Sequence, residues 1–270
     1  MIPSAGADLA RYYDLDLGDD PGDVEMYLAL AAMREGPILE LAAGSGRICV
    51  ALAAAGHDVT GVDRDSNMLE RARAAWKSGA DEAGRAPSGF LELVEHDITT
   101  VRLGRQFGLV ILALNSLVLL DGRDAQRAAL EVMARHLKPD GRAVLDVWLP
   151  TPDDLSLYDG RLVLEWVRPD EATGEWVAKS GSARYEPATQ TAEVTTLFDS
   201  WRAETKHTGA VGDLRRTMRR DTVTFIGVSE LVDLCGHAGL AVDTLAGDYS
   251  MNSFTSGAER IVLVGRLASP

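Results

Sequence analysis

Short apolar runs alternate with helix-like spacing through the first half of the chain. The runs cover residues 37–42, 58–62, 90–94, 107–113 and 143–149, and each has the length of a buried strand. Between them, apolar residues recur at helical spacing over residues 47–55, 66–77 and 122–137, and a turn is predicted at residues 138–141. Strands that alternate with helices are typical of βαβ units, so the sequence predicts a doubly wound parallel sheet.

The pattern changes to period-two alternation after Pro150. Alternating stretches at residues 162–167, 191–198 and 222–225 are separated by turn residues such as Gly174 and Pro187, which indicates antiparallel strands. A helix is then predicted at residues 229–238, followed by strands at 240–245 and 261–264. We therefore expect an α/β fold with a mostly parallel seven-stranded sheet. Residues 1–150 and 227–270 would form a cofactor-binding domain, and residues 151–226 an inserted antiparallel β subdomain that covers the substrate.

The composition excludes several classes of protein. The 270 residues carry a formal net charge of −14, so the surface repels phosphate backbones and we expect no nucleic-acid partner. Cys49 and Cys235 are too few for a disulfide framework or a four-ligand zinc site, so no metal is predicted. No signal peptide is recognised at the start, and the longest apolar stretch, residues 109–120, is too short to span a bilayer. We expect a cytoplasmic protein without a membrane partner, and a homodimer stays open.

A glycine-containing segment at residues 40–47, ELAAGSGR, lies where the first predicted strand becomes a helix. Gly44 and Gly46 let a ligand approach the backbone, and the helix N-terminus beyond them offers free N–H groups. Asp63 ends the second predicted strand, where a carboxylate can accept both hydroxyl groups of a ribose. A dinucleotide site would need a third glycine where Cys49 stands, and Glu40 would repel a pyrophosphate. A nicotinamide-dependent oxidoreductase is therefore disfavoured.

These residues resemble the class I S-adenosylmethionine-dependent methyltransferases. The family's acidic-x-(Gly/Ala)-x-Gly-x-Gly motif is met from Glu40 onward, with Ala42 in the first small position. The next family landmark, an acidic residue after the third strand, is matched by Asp97, and the segment after the fourth strand is matched by residues 114–116. The resemblance covers residues 1–150. It implies a Rossmann-like fold, S-adenosyl-L-methionine as cofactor and methyl transfer as the reaction.

The same resemblance implies a role for each cofactor-binding residue. Asp63 would bind the ribose, Asp97 would accept a hydrogen bond from the adenine amine, and the Ile98 backbone would donate to the adenine. Arg64 and Met68 would flank the ring. The two glycines would line the methionine side, and the acidic residue of the motif would order the loop. The complete implied set is Tyr12, Glu40, Ala42, Gly44, Gly46, Arg47, Asp63, Arg64, Met68, Asp97, Ile98, Leu114 and Asn115.

The acceptor is expected to be a small molecule. The sequence at residues 115–118, NSLV, differs from the Asn/Asp-Pro-Pro-Tyr motif of methyltransferases that act on amide or nucleobase nitrogens. The insert and the tyrosine motif at residues 10–14, ARYYD, are similar to amino-sugar N-methyltransferases of antibiotic pathways. That resemblance implies an amine acceptor, with Tyr12 or Tyr13 beside the sulfonium and the Tyr13 hydroxyl in a catalytic role.

Three further features have both a binding and a structural interpretation. An amine attacks only when it is neutral, and His207, in an irregular stretch of the insert, is the best-placed base. Trp148 and Trp201 either line an apolar pocket for an indole or phenol, which favours O- or C-methylation, or fill a core. Arg216 either holds the diphosphate of a nucleotide sugar or lies on a solvated face. The cofactor residues also fit a protein that binds S-adenosylmethionine without turnover.

Overall fold

The computed structural model describes residues 5–18, 21–79, 88–202 and 213–268, which divide into two compact units. The described residues of Asp20–Leu149 and Phe225–Pro270 form the larger one, called here the parallel-sheet unit. The described residues of Met1–Asp19 and Pro150–Thr224 form the smaller one, called the antiparallel unit. No helix within the described ranges is long and apolar enough to cross a membrane.

Seven strands form the sheet of the parallel-sheet unit, in the spatial order β10-β11-β5-β4-β1-β2-β3. Strands β1 to β5 pair in parallel, whereas β11 runs antiparallel to both β5 and β10. This arrangement confirms the predicted α/β fold with a mostly parallel seven-stranded sheet. The strands are β1 (Ile38–Leu41), β2 (Asp58–Asp63), β3 (Phe90–Glu95), β4 (Phe107–Leu112), β5 (Leu137–Trp148), β10 (Leu240–Ala246) and β11 (Arg260–Leu267).

The strand order reverses between β1 and β4, and this point determines where a ligand binds. In open α/β sheets, ligands bind beyond the carboxyl ends of the strands at such a reversal. Both strands are buried along their whole length, as expected for central strands covered by helices on both faces. The helices of this unit are α2 (Val24–Ala32), α3 (Arg47–Ala54), α4 (Ser66–Ser78), α5 (Gly122–His136) and α7 (Val228–His237), with a 3₁₀ turn at Ser116–Leu119.

The turn predicted at residues 138–141 lies within a strand instead. β5 already begins at Leu137, which pairs with Phe107, and the next registered pair joins Arg142 to Leu109. The extra residues on β5 therefore form an irregularity in the ladder that accommodates the Pro-Asp-Gly sequence without ending the strand. The predicted turn was therefore wrong, because the strand continues through residues 138–141 with a shift in register.

The antiparallel unit is a four-stranded sheet with the order β6-β7-β8-β9, and all of its neighbouring strands run antiparallel. The hairpin turns fall at residues 171–174 and 187–190, where the sequence predicted turns. Its elements are α1 (Ala5–Asp16), α6 (Pro152–Ser156), β6 (Val163–Asp170), β7 (Glu175–Glu186), β8 (Thr191–Trp201) and β9 (Arg215–Thr224).

Helix α1 is held to the antiparallel sheet by buried ion pairs and hydrogen bonds. Asp16 accepts from Trp166 Nε1 (2.8 Å) and from Lys179 Nζ (2.6 Å). Arg11 pairs with Asp170 and with Asp8 (3.1 Å). The sequence prediction placed residues 1–150 in one domain; in the structure, the amino-terminal helix groups instead with the sheet that begins after residue 150.

Replacing Arg11 with Met is expected to destabilise the protein by about 3 kcal/mol, because it leaves the buried carboxylate of Asp170 without its cation. Asp8, the other partner of Arg11, still pairs with Arg215 at 3.1 Å. The expected loss of stability is therefore at the lower end of the range for a broken buried ion pair. Urea denaturation measures the loss. The matched control is Arg127→Met, whose partners Asp124 and Glu131 lie on an exposed helix face, and it should change stability by less than about 1 kcal/mol. Equal losses in the two variants would contradict the anchoring role.

Candidate cofactor site

The turn between β1 and α3 brings left-handed backbone to the carboxyl end of the central strand. Ala42, Gly44 and Gly46 have φ angles of 57°, 56° and 92°. Gly46 caps α3, and a Cβ atom there would meet Ala72 Cβ at 2.8 Å, so the glycine allows α3 to pack against α4. A Cβ atom on Gly44 would meet nothing within 4 Å, which leaves open space beside its backbone. The two glycines therefore have different roles, one in packing and one beside open space.

Asp63 connects this turn to the end of the neighbouring strand β2. Its Oδ2 atom accepts from the Gly44 N–H (2.8 Å), and its Oδ1 atom accepts from the Asp65 N–H (2.9 Å). Each carboxylate oxygen has two lone pairs, so each oxygen can accept a further hydrogen bond. The side chain thus holds two loops together and retains acceptor capacity for two ribose hydroxyl groups.

Glu40 is a buried carboxyl group directly under the turn. The Cys49 amide, in the first turn of α3, and the Cys49 thiol both donate to it. Within the part of the chain that the structure describes, Glu40 Oε2 has no hydrogen-bond partner. Burial raises the pKa of this carboxyl group to about 8, although the nearby Arg47 guanidinium and the Cys49 donors lower it. The Glu40 Oε2 atom therefore keeps capacity for a further hydrogen bond, which a ligand or a water molecule can supply.

Arg47 lies at the start of α3, but its guanidinium is directed to another partner. It forms a two-pronged ion pair with the fully buried Asp23, and Arg47 Nη2 lies 2.7 Å from Asp23 Oδ2. Asp23 is the residue that precedes α2, so the pair joins α2 to α3. The side chain of Arg47 therefore holds the helices of the site together through Asp23.

The residues expected around the adenine lie just after β2 and β3 and in the first turn of α4. Asp97 is exposed, and its Oδ1 atom accepts from Thr99 N (2.7 Å) and Thr99 Oγ1 (2.6 Å). The Thr99 hydroxyl and amide hold the pKa of Asp97 below its usual range, so the carboxylate is available as an acceptor at neutral pH. Arg64 is exposed and Met68 half-buried, while the Ile98 side chain is buried.

The segment after β4 has two consecutive residues in the left-handed region, Leu114 (φ 48°) and Asn115 (φ 63°). The Asn115 side chain accepts from the backbone N–H of Trp148, which ties the end of β4 to the end of β5. The Leu114 N–H donates to Asp146, a residue that was not among the predicted site residues. The signal in the sequence was a single carboxylate within the apolar run of residues 143–149.

The residues predicted on the acceptor side belong to different units. Trp148 lies in the parallel-sheet unit, where its ring meets Phe225 edge-on at 5.9 Å. Trp201 lies in the antiparallel unit and is paired in register with Trp176. Both tryptophans are half-buried. The contacts described for them agree with the interpretation that they pack within their own units.

Tyr12 and Tyr13, on α1, have different environments. The Tyr12 ring is fully buried and stacks on Phe198 at a centroid distance of 4.8 Å, within a small apolar cluster of the antiparallel unit. The ring therefore packs in the core of this unit, and its hydroxyl group has no hydrogen-bond partner among the described residues. Tyr13 is half-buried, and it remains our candidate for contact with the acceptor.

Arg216 is engaged by a neighbouring strand. Its Nε and Nη2 atoms each lie 2.7 Å from the Asp199 carboxylate on β8, in a bidentate pair. This carboxylate neutralises the guanidinium that was expected to bind a diphosphate, so we do not retain Arg216 as a phosphate-binding residue. The finding agrees with the alternative of a solvated strand face.

The proposed base, His207, lies outside the described residues. Of the other histidines, His136 is buried and has a structural role: Nδ1 donates to the Val132 carbonyl (2.8 Å), and Nε2 accepts from the Leu103 N–H (3.1 Å). Burial lowers the pKa of His136, which favours the neutral ring that this bonding requires. Among the described residues, no group of three or more potential ligands is arranged to hold a metal ion.

Comparison with known proteins gives the class of this site. Residues 38–141 match the family model of the methyltransferase domain. The curated cypemycin N-terminal methyltransferase from Streptomyces sp is 26% identical over 235 residues, 84% of this chain and 81% of that protein. The Bacillus subtilis protein YqeM is 30% identical over 139 residues, 51% of this chain, and the chain spans about half (53%) of its length.

Solved structures share this fold over most of the chain. The CcbJ methyltransferase from Streptomyces caelestis aligns with a TM-score of 0.73 and 22% identity, over 94% of this chain and 92% of that chain. The sugar N-methyltransferase KedS8 from Streptoalloteichus sp aligns with a TM-score of 0.70 and 19% identity, over 95% and 93%. The methyltransferase-domain match over residues 38–141 agrees with the class predicted from the sequence, an S-adenosylmethionine-dependent methyltransferase with S-adenosyl-L-methionine as its cofactor.

The residues of the parallel-sheet unit fit that cofactor. The space beside Gly44 admits a ligand close to the backbone, and Asp63 has acceptor capacity for ribose hydroxyl groups. The unpartnered Glu40 Oε2 atom suits a cationic amino-acid moiety, whereas a pyrophosphate would be repelled.

The two glycines of the turn provide a matched pair of variants. Gly44→Ala and Gly46→Ala each place a Cβ atom on left-handed backbone, which costs about 1–2 kcal/mol. Gly46→Ala should lose about 1–3 kcal/mol more, because its methyl group meets Ala72. Gly44→Ala should instead mainly weaken cofactor binding, because its methyl group enters the open space. Thermal unfolding and calorimetric titration measure the two effects, and equal unfolding losses would rule out the division of roles.

Proposed function

We propose that the protein transfers a methyl group from S-adenosylmethionine to an amine nitrogen of a small molecule in a specialised, antibiotic-type biosynthetic pathway. The cofactor supplies an electrophilic methyl group on a sulfonium. The names of two similar proteins with long alignments support nitrogen as the acceptor atom. The cypemycin N-terminal methyltransferase and the sugar N-methyltransferase KedS8 are both named for methylation at nitrogen, and each alignment covers more than four-fifths of this chain.

The residues of the parallel-sheet unit supply positioning in this proposal. Methyl transfer requires the nucleophile, methyl carbon and sulfur in line, so a fixed cofactor contributes most of the rate enhancement. Asp63 would fix the ribose, Asp97 the adenine, and Glu40 the amino-acid end. Glu40 is the penultimate residue of β1, Asp63 ends β2 and Asp97 follows β3, so the three carboxylates share the carboxyl edge of adjacent strands.

The acceptor side would rely on Tyr13, whose hydroxyl group would hold the neutral amine by accepting a hydrogen bond from its N–H. Tyr13 lies in the antiparallel unit, which the sequence analysis assigned to the acceptor. Methylation of an aromatic oxygen or carbon remains the alternative, and the test below separates the two chemistries.

The test begins with calorimetric titration of the protein with S-adenosylmethionine, S-adenosylhomocysteine and NAD. Acceptors are then screened in matched pairs, an amino sugar against its hydroxyl analogue and a peptide with a free amino terminus against its acetylated form. Phenols and indoles complete the panel, and mass spectrometry detects the added methyl group. Methylation of only the free amines supports the proposal, whereas methylation of only phenols or indoles contradicts it. Cofactor binding without turnover on any acceptor would indicate a binding protein.

A further inference from the structure

Asp146 is a charged side chain inside the apolar strand β5, and it is completely buried. Its Oδ1 atom accepts from the Tyr27 hydroxyl (2.7 Å) and the Leu114 N–H (2.8 Å). Its Oδ2 atom accepts from the Tyr249 hydroxyl (3.0 Å) and from Arg260 Nη1 (2.6 Å). A carboxylate has about four lone-pair sites, and here four donors occupy them. The group is therefore saturated and is not available as a base for an acceptor amine.

The donors come from four separate parts of the parallel-sheet unit. Tyr27 lies on α2, Leu114 follows β4, Tyr249 follows β10, and Arg260 begins β11. The Arg260 guanidinium also lies over the Tyr249 ring, 4.6 Å from its centroid. Burial raises the pKa of both tyrosines, and the adjacent carboxylate raises it further, so both hydroxyl groups remain protonated donors.

The feature that this carboxylate controls most directly is the turn after β4. Leu114 and Asn115 both have positive φ angles, and a left-handed conformation costs a residue with a Cβ atom about 1–2 kcal/mol. Asp146 acts on both residues, because its side chain accepts from Leu114 N–H and its carbonyl oxygen accepts from Asn115 N–H (3.2 Å). Strained backbone persists only where its surroundings impose it, and Asp146 provides two of those constraints.

We infer that Asp146 is a positioning residue for methyl transfer, which holds the Leu114–Asn115 turn in the conformation that the bound cofactor requires. The inference rests on the proposed function, since the turn matches the segment after the fourth strand that methyltransferases use at the cofactor. Asp146 acts through the turn and does not touch the reacting atoms. If Asp146 only stabilised the fold, replacing it would lower stability and leave the turnover of the folded molecules unchanged.

The test compares Asp146→Asn with the matched control Tyr249→Phe. In Asp146→Asn, the remaining oxygen pairs with Arg260, so the amide NH₂ group faces the Leu114 N–H and the two donors oppose each other. In Tyr249→Phe, one donor to Oδ2 is lost while Oδ1 and the turn are untouched. We expect kcat to fall about 100-fold in Asp146→Asn and to stay within about twofold in Tyr249→Phe, at saturating cofactor and acceptor.

Hydrogen–deuterium exchange across residues 113–118 provides a readout that does not depend on turnover. We expect Asp146→Asn to speed exchange in this segment, and S-adenosylhomocysteine to slow it in the wild type but not in the variant. If Asp146→Asn is poorly folded, the quadruple variant Asp146→Leu/Arg260→Met/Tyr27→Phe/Tyr249→Phe removes the carboxylate together with its three side-chain donors, so that only the Leu114 N–H loses its partner. It removes the same constraint on Leu114 and should show the same faster exchange.

The outcomes separate this inference from the proposed function. A wild-type protein that methylates no acceptor contradicts the proposed function, while protection of the turn by S-adenosylhomocysteine still decides the role of Asp146. Equal protection in the wild type and in Asp146→Asn, or a turnover per folded molecule that does not change, overturns the inference. If Asp146→Asn lowers stability but changes neither the exchange rate nor the turnover, Asp146 has only a structural role and the inference is also overturned.

Discussion

Asp63→Ala is expected to weaken the binding of S-adenosylmethionine about 10- to 100-fold. Hydrogen bonds to a charged group contribute about 1.5–3 kcal/mol, and each 1.4 kcal/mol corresponds to a tenfold change in affinity. The variant removes the proposed acceptor of the ribose hydroxyl groups. It also removes the two hydrogen bonds that join Gly44 to Asp65, so the turn under the cofactor loses a constraint. Calorimetric titration at fixed salt concentration measures the change.

The matched control for this variant lies two residues away. Asp65 caps α4 by accepting from the Asn67 N–H (2.9 Å), so Asp65→Ala should lower stability by about 1 kcal/mol through the lost cap. It leaves the Asp63 carboxylate in place, and its affinity for the cofactor should stay within about threefold of the wild type. If both variants lose affinity equally, the effect belongs to the loop as a whole and Asp63 has no specific part in binding the ribose.

The parallel-sheet unit was predictable because its signals are local. Each central strand is buried on both faces, and β1 and β4 therefore appear in the sequence as mainly apolar runs, in which Glu40 is the one charged residue. Gly44, Gly46 and Asp63 stand at strand ends, where the chain must turn, and a turn restricts which residue types fit. The same locality explains the error at residues 138–141, because a Pro-Asp-Gly sequence favours a bend whether the strand ends there or continues through an irregularity.

What the sequence did not reveal depends on contacts between distant residues. Helix α1 is defined by partners more than 140 residues away, such as Trp166 and Lys179 for Asp16, and no local pattern records them. Arg47 stands in the cofactor motif, yet Asp23 pairs with its guanidinium, which a motif cannot show. Asp146 resembled an interruption in a strand until its four donors were located in space.

Glu40 is expected to couple cofactor binding to the release of a proton. In the ligand-free protein its pKa is raised to about 8 by burial, so the carboxyl group is mostly protonated at pH 7. The cationic α-ammonium group of the cofactor would stabilise the ionised form and lower that pKa. Affinity should therefore rise with pH, by at most about tenfold per unit, between pH 6 and 7.5. Glu40→Gln should show no such rise.

Isothermal titration at pH 7 in two buffers of different ionisation enthalpy measures the released proton directly. The experiment stays below pH 7.5, because free α-amino groups titrate near about pH 7.7–8.0 and would add their own proton. S-Adenosylhomocysteine keeps the ammonium group and lacks the sulfonium, so equal proton release with both ligands assigns the effect to the ammonium group. Proton release of the same size in Glu40→Gln would exclude Glu40 as its source.

The same carboxyl group predicts how the stability of the ligand-free protein depends on pH. Between about pH 4.5 and 8, the folded chain keeps a proton at Glu40 that the unfolded chain has released, so raising the pH in this window favours unfolding. This group should contribute a slope of at most about 1.4 kcal/mol per pH unit, which disappears above pH 8, where both states are ionised. Denaturation of Glu40→Gln across the same window should lack this contribution. Saturating S-adenosylmethionine should also reduce it in the wild type, because the bound cation favours the ionised carboxylate in the folded state.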